Sequence, residues 1–135
     1  MSSFHLQIVT PDGLFYDGEA ESISVRAVTG NLTILPRHIN FVTPLGMGAA
    51  KVVTNGQPRM AACIGGMLAV TDGQVRVIAT TFEWVEQIDA ARAQRALERA
   101  QQKLAAPDQL SKQELALAEA ELKRALVRTS LVKPQ

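Results

Sequence analysis

The chain has 135 residues, 47% of them hydrophobic and 20% charged, with a net charge of +1. That length suits one ordinary domain or a small domain with an appendage, and the absence of a long basic run argues against a nucleic-acid binder. The single cysteine, Cys63, cannot form an intrachain disulfide, and no Cys/His cluster has metal-ligand spacing, which fits a reducing, cytoplasmic compartment. No run of about 18 apolar residues exists, and MSSFHLQIVTPDG lacks a basic stretch followed by an apolar one, so neither a membrane span nor a signal peptide is expected.

Phe4, Leu6 and Ile8 alternate with His5, Gln7 and Val9, a period-two strand pattern. Pro11-Asp12-Gly13 turns the chain. Ile23, Val25 and Ala27 alternate next. Thr29-Gly30-Asn31 turns the chain again, and residues 32–35 form a short strand. Residues 49–53 lead into Asn55-Gly56, the strongest short hairpin signal here. Met60, Ala62 and Ile64 continue beyond it, Gly65-Gly66 punctuates, and two runs follow at 67–70 and 74–79 around Asp72-Gly73. Closely spaced short strands predict a sandwich or barrel.

The grammar then changes. All nine glycines lie between Gly13 and Gly73, whereas eleven alanines fall between Ala90 and Ala125. Glycine supplies turns and alanine favours helix. Asp89 can cap a helix to about Ala105, with Ala93, Leu97, Ala100 and Leu104 as its apolar stripe. Pro107-Asp108 breaks it, and Ser111-Lys112-Gln113-Glu114 reads as a capping box. A second helix to about Arg128 should carry Leu115, Ala118, Leu122 and Leu126 on one face, forming an antiparallel hairpin with the first. The expected architecture is α+β in two parts, an antiparallel β-sandwich or barrel at 1–87 followed by an α-helical hairpin at 88–135. Both stripes are narrow and alanine-rich, so the hairpin should be marginal alone and therefore movable.

Several stretches in this order resemble the epsilon-subunit family of F-type rotary ATP synthases. Gln7-Ile8-Val9-Thr10-Pro11-Asp12-Gly13 is similar to its opening strand and turn, and Ile34-Leu35-Pro36-Arg37-His38 to its Leu-Pro-x-His loop. Residues 64–70 and 75–79 resemble its paired late strands, and Ile88-Asp89-Ala90-Ala91-Arg92-Ala93 its Ile/Leu-Asp-x-x-Arg-Ala pattern. The resemblance covers nearly the whole chain. Three positions depart from it: Thr33 replaces a glycine, Asn40 replaces a proline, and Trp84 stands where a small residue is expected.

The resemblance implies a non-catalytic central-stalk subunit whose sandwich meets the gamma subunit and the c-ring, coupling ring rotation to the catalytic head. The hairpin would switch between a folded form and one extended into the alpha and beta subunits, where it restrains ATP hydrolysis. Location would be the cytoplasmic side of the bacterial plasma membrane, peripheral and held by the complex, with no direct membrane insertion. It also implies a regulatory ATP, bound by the folded hairpin through Glu83, Ile88, Asp89, Arg92, Arg99, Arg124 and Arg128; no cofactor is obligatory.

The residues are compatible with such a site. Arg92, Arg95 and Arg99 at i, i+3 and i+7 share a helical face, as do Arg124 and Arg128 at i, i+4. In an antiparallel hairpin four or five guanidiniums would converge, and their planar forks suit phosphate. Residues 89–135 hold nine Lys/Arg and six Asp/Glu, net +3, against five and seven, net −2, in 1–88. Asp89 would accept from the adenine amino group and Ile88 would pack on the ring. Neither a Gly-x-x-x-x-Gly-Lys-Ser/Thr loop nor a carboxylate pair for magnesium occurs, so ATP would regulate rather than be hydrolysed.

Plainer readings stand beside these. The arginines also read as a solvated face or a grip on the catalytic head, and Asp89 as a simple N-cap. His38 lacks a nucleophile context and reads as a structural or interface residue; His5 reads as incidental, and Cys63 as a small core residue. Met47, Met60 and Met67 read as core or interface filler. Phe41, Val42 and Leu45 suit either a partner patch or the core. A free-standing ATP-sensing module without a synthase is the alternative function, and an enzyme centred on His38 and Cys63 a remoter one.

Overall fold

The computed structural model describes residues 2–132. Seven strands come first: β1 (Phe4–Thr10), β2 (Gly13–Ala20), β3 (Ser22–Ala27), β4 (Gly30–Ile34), β5 (Phe41–Thr54), β6 (Gln57–Thr71) and β7 (Gln74–Trp84). Two helices follow, α1 (Ala90–Leu104) and α2 (Lys112–Val132). One compact unit ends at Val85 and the next begins at Glu86, two residues before the boundary expected from composition. The expected second part also included 133–135, which lie outside the described residues.

All seven strands form one hydrogen-bonded sheet in the order β2-β1-β7-β6-β5-β3-β4, antiparallel except for β1 against β7. On a flat sheet β1 and β3 would stand about 19 Å apart, four strand spacings. Yet Leu6 and Ile8 of β1 share one core cluster with Ile23 and Val25 of β3 and Ile34 of β4. The sheet therefore folds over on itself as a β-sandwich.

The three long strands make the fold. In β6 the core residues are Ala61 and Cys63 before Gly65-Gly66, then Leu68 and Val70 after it, so the inward phase slips by one. β5 slips between Leu45 and Ala50, and β7 between Ala79 and Phe82. The slips line up, because Met47 pairs with Ile64 and Leu45 with Gly66, while Ile64 pairs with Thr81 and Gly66 with Ala79. Each long strand thus serves both layers. Gly66 permits the crossing: a Cβ there would lie 2.0 Å from the Ile78 carbonyl oxygen, at a φ of +127°.

The local expectations fare unevenly. The alternation in β1 and β3 holds, and Asn55-Gly56 and Asp72-Gly73 form turns with positive φ at both central residues, as type I′ requires. One pair of runs merges, since 60–64 and 67–70 are both β6, and β5 begins at Phe41 rather than at 49. β2 was not expected. It is an edge strand in which only residues 16–20 alternate, with Asp17 and Glu19 outward, while the adjacent Phe15 and Tyr16 are both half-buried and break the period. Trp84 is buried against Phe82, Phe15 and Tyr16, and the Arg59 guanidinium lies 3.9 Å from its ring centroid.

Cys63 is buried in the core, and burial pushes its thiol up to about 12. It is a packing residue, not a nucleophile.

Candidate functional site

The hairpin is built on alanine. Ala93 and Ala100 are buried on α1, and Ala118 and Ala125 on α2, each pair seven residues apart. Half-buried Leu97 and Leu104 alternate with the first pair, and Leu115, Leu122 and Thr129 with the second. This 4-3 spacing is an antiparallel coiled-coil seam whose small residues let the helix axes approach closely. Leu126 does not belong to it, contrary to the sequence expectation. It is 47% exposed, and Ala125 takes the seam position, because the period places residue 125 seven beyond Ala118.

Both N-termini are capped. The Asp89 carboxylate accepts from the Arg92 amide at 3.0 Å. The Ser111 hydroxyl accepts from the Glu114 amide at 3.1 Å, and the Glu114 carboxylate accepts from the Ser111 amide at 3.0 Å. The amide bond from Ser111, then the contact with its hydroxyl, holds the Glu114 carboxyl below the ordinary carboxylate range.

The seam fixes where the arginines stand. Arg92 and Arg99 precede the buried alanines of α1 by one residue, and Arg124 does the same on α2; Arg128 lies three beyond Ala125. In an antiparallel pair these positions share one flank. The chain reversal at 105–111 sets Arg92 level with the stretch between Arg124 and Arg128, and Arg99 about 10 Å further along. On that flank Lys103 and Glu121 form an interhelical ion pair at 3.2 Å. Arg95 is turned about 60° further from the seam than Arg92, so the grouping is four arginines and not five. Sequence reasoning missed Lys103 and Glu121, since no local spacing pairs residues on opposite helices.

Asp89 and half-buried Ile88 open α1 at the Arg128 end. Glu83 belongs to β7 in the sandwich unit, paired with Ala62. It lines a hollow of about 460 Å³ with Thr10, Asp12, Phe15 and Thr81. The structure brings Arg92, Arg99, Arg124 and Arg128 onto one surface with Ile88 and Asp89, and Glu83 stands in the other unit. Among the described residues no group of acidic, His and Cys side chains is arranged to hold a metal.

The sandwich offers a second surface. Pro44 pairs with Met67, Met67 with Ile78, Ile78 with Val9, and Val9 with Leu14. Partners across a ladder point to the same side. These five apolar residues therefore form one outward row across five strands, about 19 Å long. Leu14 is 60% exposed, Ile78 50% and Met67 40%. The neighbouring outward row mixes Val42 and Ala69 with Arg76, which donates to the Gln7 side chain at 3.1 Å. Met67 is thus a surface residue, as is Met60, and neither fills the core.

The loop from Leu35 to Asn40 exposes two aliphatic side chains, Leu35 at 56% and Ile39 at 76%. Arg37 takes a φ of 67°. The His38 ring packs beside Phe41, with centroids 5.0 Å apart, so His38 is a structural residue of the loop. Phe41 is half-buried, Leu45 is core and Val42 is exposed, which splits that trio between the two readings. Asn40 binds the turn between β6 and β7 twice: its side-chain oxygen accepts from the Asp72 amide at 2.8 Å, and its amide donates to the Asp72 carboxylate at 3.4 Å. His5 pairs with Asp17 on the exposed β1–β2 ladder.

Two family models match the chain. The β-sandwich domain of the ATP synthase delta/epsilon chain matches residues 3–85, and the long α-helix domain of the same chain matches 86–133. An ATP synthase epsilon chain of Caldanaerobacter subterraneus subsp. tengcongensis is 42% identical over 130 residues, covering 96% of this chain and 93% of the relative. That of Bacillus subtilis is 44% identical over 104 residues, covering 77% and 79%. Among solved structures, a chain of the Euglena gracilis mitochondrial ATP synthase (OSCP/F1/c-ring) aligns with a TM-score of 0.84 at 22% identity, over 96% of this chain and 81% of that one. That last likeness is one of fold.

Proposed function

The chain belongs to the ATP synthase epsilon-chain family, as a non-catalytic subunit of the synthase, and from that membership we propose a coupling and regulatory role in the central stalk. The sandwich meets the gamma subunit and the c-ring, and the hairpin senses ATP and restrains hydrolysis. On this reading the protein is peripheral, held at the cytoplasmic face of the bacterial membrane by the complex. Among the described residues no helix is long and apolar enough to cross a membrane.

The outward apolar row from Pro44 to Leu14 supports docking on the rotor. A contiguous apolar strip rimmed by polar residues is what a protein partner covers. An Ile78→Asp change should weaken binding to gamma at least tenfold while the sandwich stays folded, since Ile78 is half exposed.

The single observation behind ATP sensing is the placing of Arg92, Arg99, Arg124 and Arg128 on one flank of the hairpin. Four guanidinium forks there suit a triphosphate, with Asp89 and Ile88 at the adenine end. ATP that binds only the closed hairpin stabilises it by linkage and delays its extension into the alpha and beta subunits. Titration calorimetry of the purified chain with ATP, with and without magnesium, tests this. One-to-one binding that Arg92→Ala weakens more than tenfold is the expected result. No binding up to millimolar ATP would leave the arginines as a docking surface for the catalytic head. ATP binding without any gamma binding would favour the free-standing sensor instead.

A further inference from the structure

The geometry points to Asn40 as the positioning residue of a preformed docking loop, one that meets a protein partner carrying an apolar socket with an acidic rim. This rests on the reading of the sandwich as a rotor-binding unit and names how one of its contacts is held in shape.

Three observations carry it. Leu35, Ile39 and Val42 expose 56%, 76% and 61% of their surface within eight residues, a density of outward aliphatic side chains that solvent alone does not favour. Arg37 is exposed between them and makes no ion pair among the described residues, so its charge is available to a carboxylate. The loop nonetheless has a fixed shape. His38 packs on Phe41, and Asn40 reaches 32 residues along the chain to bind the Asp72 amide and carboxylate. Asp72 sits in a type I′ turn with φ of 50°, followed by Gly73 at 79°, a rigid anchor. Most exposed loops are mobile and must be ordered on binding at a cost. A loop tied by its own side chain to a tight turn avoids most of that cost, and proline would achieve the same end by fixing φ.

The test measures binding of the full chain to a purified gamma–c-ring assembly, with melting temperature and hydrogen exchange over 35–42 followed in parallel. Asn40→Ala should speed exchange in the loop, slow association and lower affinity about fivefold, with little change in melting temperature, because preorganisation and not folding is lost. Ile39→Ser should lower affinity about tenfold by removing the apolar contact itself. Failure of the wild-type chain to bind the assembly would defeat the rotor reading as a whole. Wild-type binding weakened by Ile39→Ser but untouched by Asn40→Ala would overturn the positioning role alone. Rotor binding indifferent to Ile39→Ser, with Ile39-dependent binding to phosphatidylglycerol vesicles, would overturn the protein partner in favour of a lipid surface.

Discussion

The sandwich and the hairpin are held together by different amounts of buried carbon. The sandwich buries Leu6, Ile8, Ile23, Ile34, Leu68, Val52, Val70 and Val77 completely, and each contributes roughly 1.5–3 kcal/mol relative to exposure. Among the described residues the hairpin's buried side chains are four alanines, each burying a single methyl, about 0.8 kcal/mol apiece. Its leucines are half-exposed, and Leu117 and Leu126 are turned outward. The difference teaches that one chain can combine a rigid body with an element whose closed form is finely balanced. On the function proposed above, a ligand across its arginine flank or a partner on its exposed leucines would decide its state.

The contrast is open to attack from both sides. The largest effect should come from Gly66→Ala, which drives a methyl into the Ile78 carbonyl at a φ alanine avoids. A loss of the order of 3 kcal/mol is expected in denaturant unfolding of the sandwich. A fully cooperative loss of α1 and α2 at the same midpoint would show that the two units do not unfold independently. Truncation after Gln87 provides the matching control: the fragment should keep its strand signal and still bind gamma, and an aggregated fragment would deny the sandwich its autonomy.

Ala100→Leu strikes the hairpin instead. Forcing the seam apart should cost about 1–3 kcal/mol, enough to open the marginal element while the sandwich melts as before. Retained helix contacts by amide exchange would mean the seam is looser than its buried alanines imply.

Ser111→Ala removes one cap and should destabilise α2 by about 1 kcal/mol. The capping box also gives a pH signature. The Glu114 carboxyl is held below its ordinary value of 4.5, so its contribution is full above that pH and fades as pH falls through the lowered value. Helicity at 222 nm should drop on acidification in the wild type, and less so in Ser111→Ala. Smallest of all, Cys63 should resist alkylation at about pH 8 in the native protein and react once unfolded, since burial keeps its thiol protonated. Rapid native labelling would report a sandwich that opens.

Glycine and alanine usage alone divided the chain into strand and helix halves, and both helix caps were legible because a cap is a contact within three residues. The turns at Asn55-Gly56 and Asp72-Gly73 were legible for the same reason: the residues needing positive φ are adjacent in the chain. The arginines could be assigned to helical faces, but the flank they share depended on which alanines formed the seam, a point that left Arg95 open and misplaced Leu126. β6 was read as two fragments because Gly65-Gly66 looks like a break, and only tertiary pairing shows it to be a crossing. The outward row from Pro44 to Leu14, the Lys103–Glu121 pair and the Asn40–Asp72 clamp join residues far apart in sequence. The sequence by itself determined the two helices, their caps and the tight turns, which are local balances of propensity and hydrogen bonding. Register, seam and clamp were decided by the tertiary structure, because each is a choice among distant partners that no local pattern encodes.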